Sequence, residues 1–152
     1  KRQRYLGISK GRIIIMATYR GQGQSTYDIG SAPPYINWTI VKGDTAAFKV
    51  YVTDDAKVPL TIADWNISME IKRPDPGQTP GVITDDATLV MTLTPAQDPD
   101  DADGEFTVNL TAAQSADLLT NDIFDIELSL PADEIVWTVA QGKIIVLEDV
   151  TA

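Results

Sequence analysis

The chain has 152 residues, 43% of them apolar and 22% charged, which suits one domain burying about 68–70% of its extended surface. Cysteine and histidine are absent, which excludes disulfides, thiolate nucleophiles, imidazole bases and zinc sites built on nitrogen or sulfur. Twelve bases against 22 acids give a net charge of −10; this disfavours nucleic acid as a partner of the body, and with no apolar run near the ~20 residues of a spanning helix, no membrane partner is expected either.

The charge is split along the chain. Residues 1 to 27 carry Lys1, Arg2, Arg4, Lys10, Arg12 and Arg20 with no acid, a net +6, whereas residues 28 to 152 hold all 22 acids and only six bases, a net −16. The apolar stretch Ile13-Ile14-Ile15-Met16-Ala17 is shorter than the roughly 7–15 residues of an export signal, so none is expected. Residues 17 to 34 are rich in Gly, Ser, Gln and Pro and lack a sustained apolar period, as in a linker. The organisation read from this is a basic arm and linker over 1–34 and one domain over 35–152. Met16-Ala17-Thr18-Tyr19 also has the form of an ordinary protein start, and Lys10-Gly11-Arg12 can be encoded by a purine-rich ribosome-binding stretch, so a product beginning at Met16 is a further expectation.

The arm has a bland reading, a frayed or untranslated terminus, and a functional one. Positive charges spaced around a β-branched triplet suit docking: along an acidic neighbour, as a strand added to a neighbour's sheet, or against packaged nucleic acid. The candidate partner-binding residues are Arg2, Arg4, Tyr5, Arg12, Ile13, Ile14, Ile15 and Arg20.

From Tyr35 onward the dominant period is two, the alternation of strands with one buried face. Ile36, Trp38 and Ile40 share a face; Lys42-Gly43-Asp44 turns the chain; then Ala46, Phe48, Val50 and Val52 share a face, so the two runs form a hairpin or a sheet-switching pair. Trp65, Ile67, Met69 and Ile71 alternate with polar residues until Pro74 and Pro76 end the run, since proline cannot donate to a ladder. Further strands are expected at Leu89 to Leu93, Phe106 to Leu110, Phe124 to Leu130, Ile135 to Val139 and Lys143 to Glu148. The one helical signal is Thr111-Ala112-Ala113-Gln114, with capping-box spacing, followed by Ala116 and Leu119. Seven to eight short strands, one short helix and an extended N-terminal arm predict an all-β, antiparallel β-sandwich. Trp38, Phe48, Trp65, Phe106 and Phe124 are its expected core.

Candidate chemistry is thin. Asp98-Pro99-Asp100-Asp101-Ala102-Asp103-Gly104-Glu105 is an oxygen-rich run, but aligning Gly104 with the glycine of a helix-loop-helix calcium loop puts Pro99 and Leu110 at ligand positions, so a solvated turn is the better reading. The pairs Asp54-Asp55, Asp85-Asp86 and Asp133-Glu134 sit in predicted turns, where Asp caps backbone donors and nothing desolvates it. Without histidine there is no orthodox triad, and no G-x-S-x-G elbow occurs. No catalytic residue, metal site or cofactor is expected, and the sequons at Asn37, Asn66 and Asn109 are chance matches within strands.

The segments Ile40-Val41-Lys42-Gly43-Asp44-Thr45 into Phe48-Lys49-Val50-Tyr51-Val52, Val58-Pro59-Leu60-Thr61 into Trp65 to Ile71, Gly104 to Val108 with Leu110-Thr111, Asp125 to Leu128, Val136-Trp137-Thr138, Gly142 to Val146, and Asp149-Val150-Thr151 resemble, in order and spacing, small bacteriophage and prophage virion proteins related to the N-terminal domain of phage baseplate upper proteins. The resemblance covers about three quarters of the chain and implies an immunoglobulin-like sandwich, a place in the virion, and no catalytic residues. Those proteins begin a few residues before the Gly-Asp-Thr turn, whereas here some forty precede it, which favours an anchoring arm. The function expected from it is a non-enzymatic virion structural protein, docking through its arm and strand edges on other virion proteins of the tail, baseplate or fibre adaptor, with homo-oligomers also expected. The alternatives are a capsid decoration protein, or a carbohydrate-binding sandwich using Tyr19, Tyr27 and Tyr35.

Overall fold

The computed structural model describes residues 12–17, 24–28, 33–53, 58–97 and 104–150. Its strands are β1 (Arg12–Ala17), β2 (Gln24–Asp28), β3 (Tyr35–Val41), β4 (Ala46–Thr53), β5 (Asn66–Pro74), β6 (Ala87–Leu93), β7 (Ala96–Gln97), β8 (Glu105–Leu110), β9 (Ile123–Leu130) and β10 (Ile135–Leu147), with one short helix, α1 (Ala112–Ala116). They form two five-stranded sheets, ordered β2-β1-β4-β8-β7 and β3-β10-β9-β5-β6. The fold is an all-β sandwich, and β1-β4-β8-β7 against β10-β9-β5 is the strand order of an immunoglobulin-type sandwich, with β6 added beyond β5.

Alternation fills the layer between the sheets. Phe48, Val50 and Val52 of β4 and Phe106 and Val108 of β8 meet Ile67, Met69 and Ile71 of β5 and Phe124, Ile126 and Leu128 of β9, all buried, at about 1.5–3 kcal/mol each. Trp38 on β3 crosses the layer to meet Phe48 edge-to-face, with ring centroids 4.8 Å apart, and touches Phe124 in its own sheet at 6.4 Å. Trp65 is buried immediately before β5 and stacks on Trp137 of β10 at 4.8 Å.

Three elements depart from the sequence reading. The sandwich is not wholly antiparallel: β3 runs parallel to β10, from Tyr35 opposite Gln141 to Val41 opposite Leu147. Of the two arrangements expected at Lys42-Gly43-Asp44 the chain takes the sheet switch, and β3 pairs with the last strand, which arrives in the same direction. Residues 135–147 form one long strand rather than two, because the extra residue Val139 is taken up in an irregularity between Thr138 and Ala140 and the ladder continues past it. Residues 24–28, within the stretch read as linker, form β2, which pairs antiparallel with β1; backbone pairing needs no apolar period.

The switch between sheets is pinned by α1. Thr111 and Gln114 form the capping box, and the buried Ser115 hydroxyl accepts from the Gly43 N–H at 3.0 Å and donates to the Asp44 carbonyl at 2.7 Å. Gly43 takes φ +83, the left-handed geometry that glycine adopts without Cβ strain.

Candidate interaction surfaces

The arm divides. Arg12, Ile13, Ile14 and Ile15 lie in β1, which pairs with β4 through six residues in continuous antiparallel register, placing Ile13 opposite Val52 and Ile15 opposite Val50. The arm strand is thus added by its backbone to the chain's own sandwich, between β2 and β4. Arg2, Arg4, Tyr5 and Arg20 lie outside the described residues. Trp38, Phe48, Trp65, Phe106 and Phe124 are buried between the sheets and form no surface.

A surface that sequence periodicity did not reveal lies on the outer face of the second sheet. The loop 75–86 between β5 and β6 doubles back over this face. Tyr35 on β3, at the far edge, donates its phenolic O–H to the Gly81 carbonyl, and a side chain at Gly81 would press on Lys143 of β10. The loop therefore straps across the sheet, and Ile123, an outward register position on β9, is buried beneath it. Between strap and sheet a hollow of ≈ 60 Å³ is lined by Glu70, Lys72, Thr84, Asp85 and Asp125 over Ile83, Ile123 and Phe124. Asp125 stands opposite Glu70 in the ladder. Burial, then the Glu70 charge, raise its carboxyl above the ordinary range, with Lys72 opposing. The hollow has room for a few waters and is small beside the ~300–1,000 Å³ of ligand pockets. Pro74 and Pro76 mark the end of β5 in the sequence, but the partner at Tyr35 is a long-range contact that no local pattern encodes.

A wide, open shelf of ≈ 620 Å³ at Ala63, Trp65, Asn66, Ile67, Thr94, Pro95 and Gln97 carries no titratable side chain, and the Gln97 amide is committed to the Ile62 and Trp65 carbonyls. Of the acidic run, residues 98–103 lie outside the described residues, and Glu105 is buried against Lys49 at 2.5 Å. Asp54-Asp55 also lies outside them, while Asp85 and Asp86 are exposed on the strap. Among the described residues no group of three acidic side chains is placed to hold a metal, and no helix is long and apolar enough to cross a membrane. Of the tyrosines considered for glycan contact, Tyr35 holds the strap, Tyr27 lies in β2, and Tyr19 is outside the described residues.

The sheet edges differ in how they are guarded. β7 is two residues long, and β6 pairs with β5 through an irregularity at Ile71/Lys72. β3 pairs with β10 through seven residues without a register shift and contains neither a charged residue nor a proline. Among the described residues this edge carries none of the charges, prolines or bulges by which a sheet avoids pairing with another chain.

Comparison with known proteins gives no match to any family model, and a search of curated proteins gives none either.

Proposed function

We propose that this chain is a non-enzymatic structural protein of a bacteriophage virion that docks on other virion proteins, of the tail, baseplate or fibre adaptor, through its N-terminal arm and strand edges. The observation that carries this reading is the β1–β4 ladder: an arm segment pairs with a sandwich strand in continuous antiparallel register, and the same backbone chemistry adds a strand from one chain to another. The unguarded β3 edge supplies a second place for the same chemistry. The ordered resemblance of its strand-and-turn segments to phage virion proteins supports the choice of assembly. Repetition in a symmetric particle converts modest contacts into durable attachment.

The reading is tested by adding the tagged full chain, and a chain beginning at Arg12 that lacks the basic segment 1–11 but keeps β1, to particles lacking this protein and sedimenting them. Full-chain binding that is lost without the basic segment is the expected result. Equal binding of both forms, or binding of neither, overturns it.

A further inference from the structure

We propose that the β3 edge is the contact between two copies of this chain, which pair β3 to β3 in antiparallel fashion about a two-fold axis at Trp38. The inference refines the strand-edge part of the docking proposed above by naming the occupant of one edge. It needs no virion, so it can fail or stand separately from that reading.

The direction of the β3 backbone groups follows from its ends. The Pro34 carbonyl accepts from the Gln141 N–H at 3.0 Å, and the Lys42 N–H donates to the Leu147 carbonyl at 2.9 Å. Even-numbered residues of β3 therefore turn their backbone toward β10. By strand alternation Tyr35, Asn37, Thr39 and Val41 turn theirs to the open edge, where the Val41 carbonyl accepts the Asp44 N–H at 3.0 Å and the other groups meet none of the described residues. These N–H and C=O groups form a continuous row.

A second copy fits this row better than a foreign strand does. Antiparallel pairing centred on Trp38 sets Asn37 opposite Thr39, exchanging both backbone bonds, and Tyr35 opposite Val41, joined by the bond from the Val41 N–H to the Tyr35 carbonyl, since the Val41 carbonyl is held by Asp44. It sets Ile36 opposite Ile40 on the inner face, so apolar meets apolar and polar meets polar with no slip. The contact is isologous and closes on itself. Electrostatics select the same edge. Each copy carries −10, and most of the molecule's surface would repel its like, but no charged residue lies between Tyr35 and Val41.

The full chain is followed by sedimentation equilibrium from micromolar to millimolar concentration, with residue-resolved amide exchange on the same samples. A monomer–dimer equilibrium is expected, with the Asn37 and Thr39 amides gaining protection as the dimer forms while those of Trp38 and Ile40 stay protected throughout. Thr39→Lys places like charges close to the axis and raises the dimer dissociation constant by about tenfold or more. Asn37→Pro removes one outward N–H and spares the β10 ladder. Far-ultraviolet dichroism of both variants keeps loss of pairing apart from loss of fold. The proposal is overturned by a monomer at every concentration, by a dimer that Thr39→Lys leaves intact, or by Asn37 and Thr39 amides already protected in the monomer, since another segment of the same chain then holds the edge.

Discussion

The Arg73 guanidinium grips the Asp122 carboxylate through two parallel N–H···O bonds, Nε to Oδ1 and Nη2 to Oδ2, both 2.8 Å. Asp122 is 1% exposed and also accepts the Leu119 N–H at 2.8 Å, while Arg73 reaches the Asp117 carbonyl at 3.0 Å. The pair ties the end of β5 to the turn that launches β9. Removing the guanidinium leaves the buried Asp122 carboxylate uncompensated, but Arg73 is 39% exposed, so Arg73→Met is expected to cost about 1–3 kcal/mol in urea unfolding, between a surface and a buried pair. A loss within the ~0–1 kcal/mol of a surface pair would show that the carboxylate is solvated instead.

Asp125 gives a pH dependence of definite sign. Burial, then Glu70, raise its carboxyl in the folded protein, so while ionised it opposes folding. That penalty fades as pH falls through the folded pKa toward the unfolded one. Asp125→Asn is therefore expected to raise the melting temperature at about pH 7, with a gain that shrinks toward about pH 4. Melting curves of both proteins across this range check it; a gain that grows on acidification contradicts the assignment.

The strap is held by Tyr35, and Tyr35→Phe removes only the hydroxyl that meets Gly81. The expected loss is about 0.5–1.5 kcal/mol of stability, with faster proteolytic cleavage within residues 75–86 under native conditions. Unchanged cleavage would mean that Ile83 and Ile123 hold the loop without the hydroxyl.

Gly142 faces β3 so closely that a Cβ there would overlap the Ile36 carbonyl. Gly142→Ala is expected to push β3 off β10, unseating Trp38 from Phe48, with a red shift in tryptophan emission and a loss of about 1–3 kcal/mol. Retained emission and stability would show that the two strands can separate slightly without consequence.

Much of the sandwich was legible because burial imposes period two: Ile67, Met69 and Ile71, and Ile126, Leu128 and Leu130, are inward in the sequence and buried in the fold. The Thr111 capping box was legible because both partners lie three residues apart. What escaped was non-local. Nothing near Tyr35 announces Gly81, and nothing near Arg73 announces Asp122, since each pair is closed by the meeting of distant strands. The parallel β3–β10 pairing was hidden for the same reason: alternation fixes which face is buried but not which neighbour lies alongside. The β-branched Ile13–Ile15 triplet suggested an added strand but not that its partner is the chain's own β4, and β2, within the stretch read as linker, escaped because backbone pairing needs no apolar period.

Strand-edge docking within a virion is tested most directly by a cryo-electron microscopy reconstruction of intact particles, at a resolution that traces strands. The expected map shows this sandwich at regular positions, with backbone ladders to neighbouring chains at β3 or at the arm strand. Particles that lack the protein, or hold it only through side chains of the strapped face, would contradict the account.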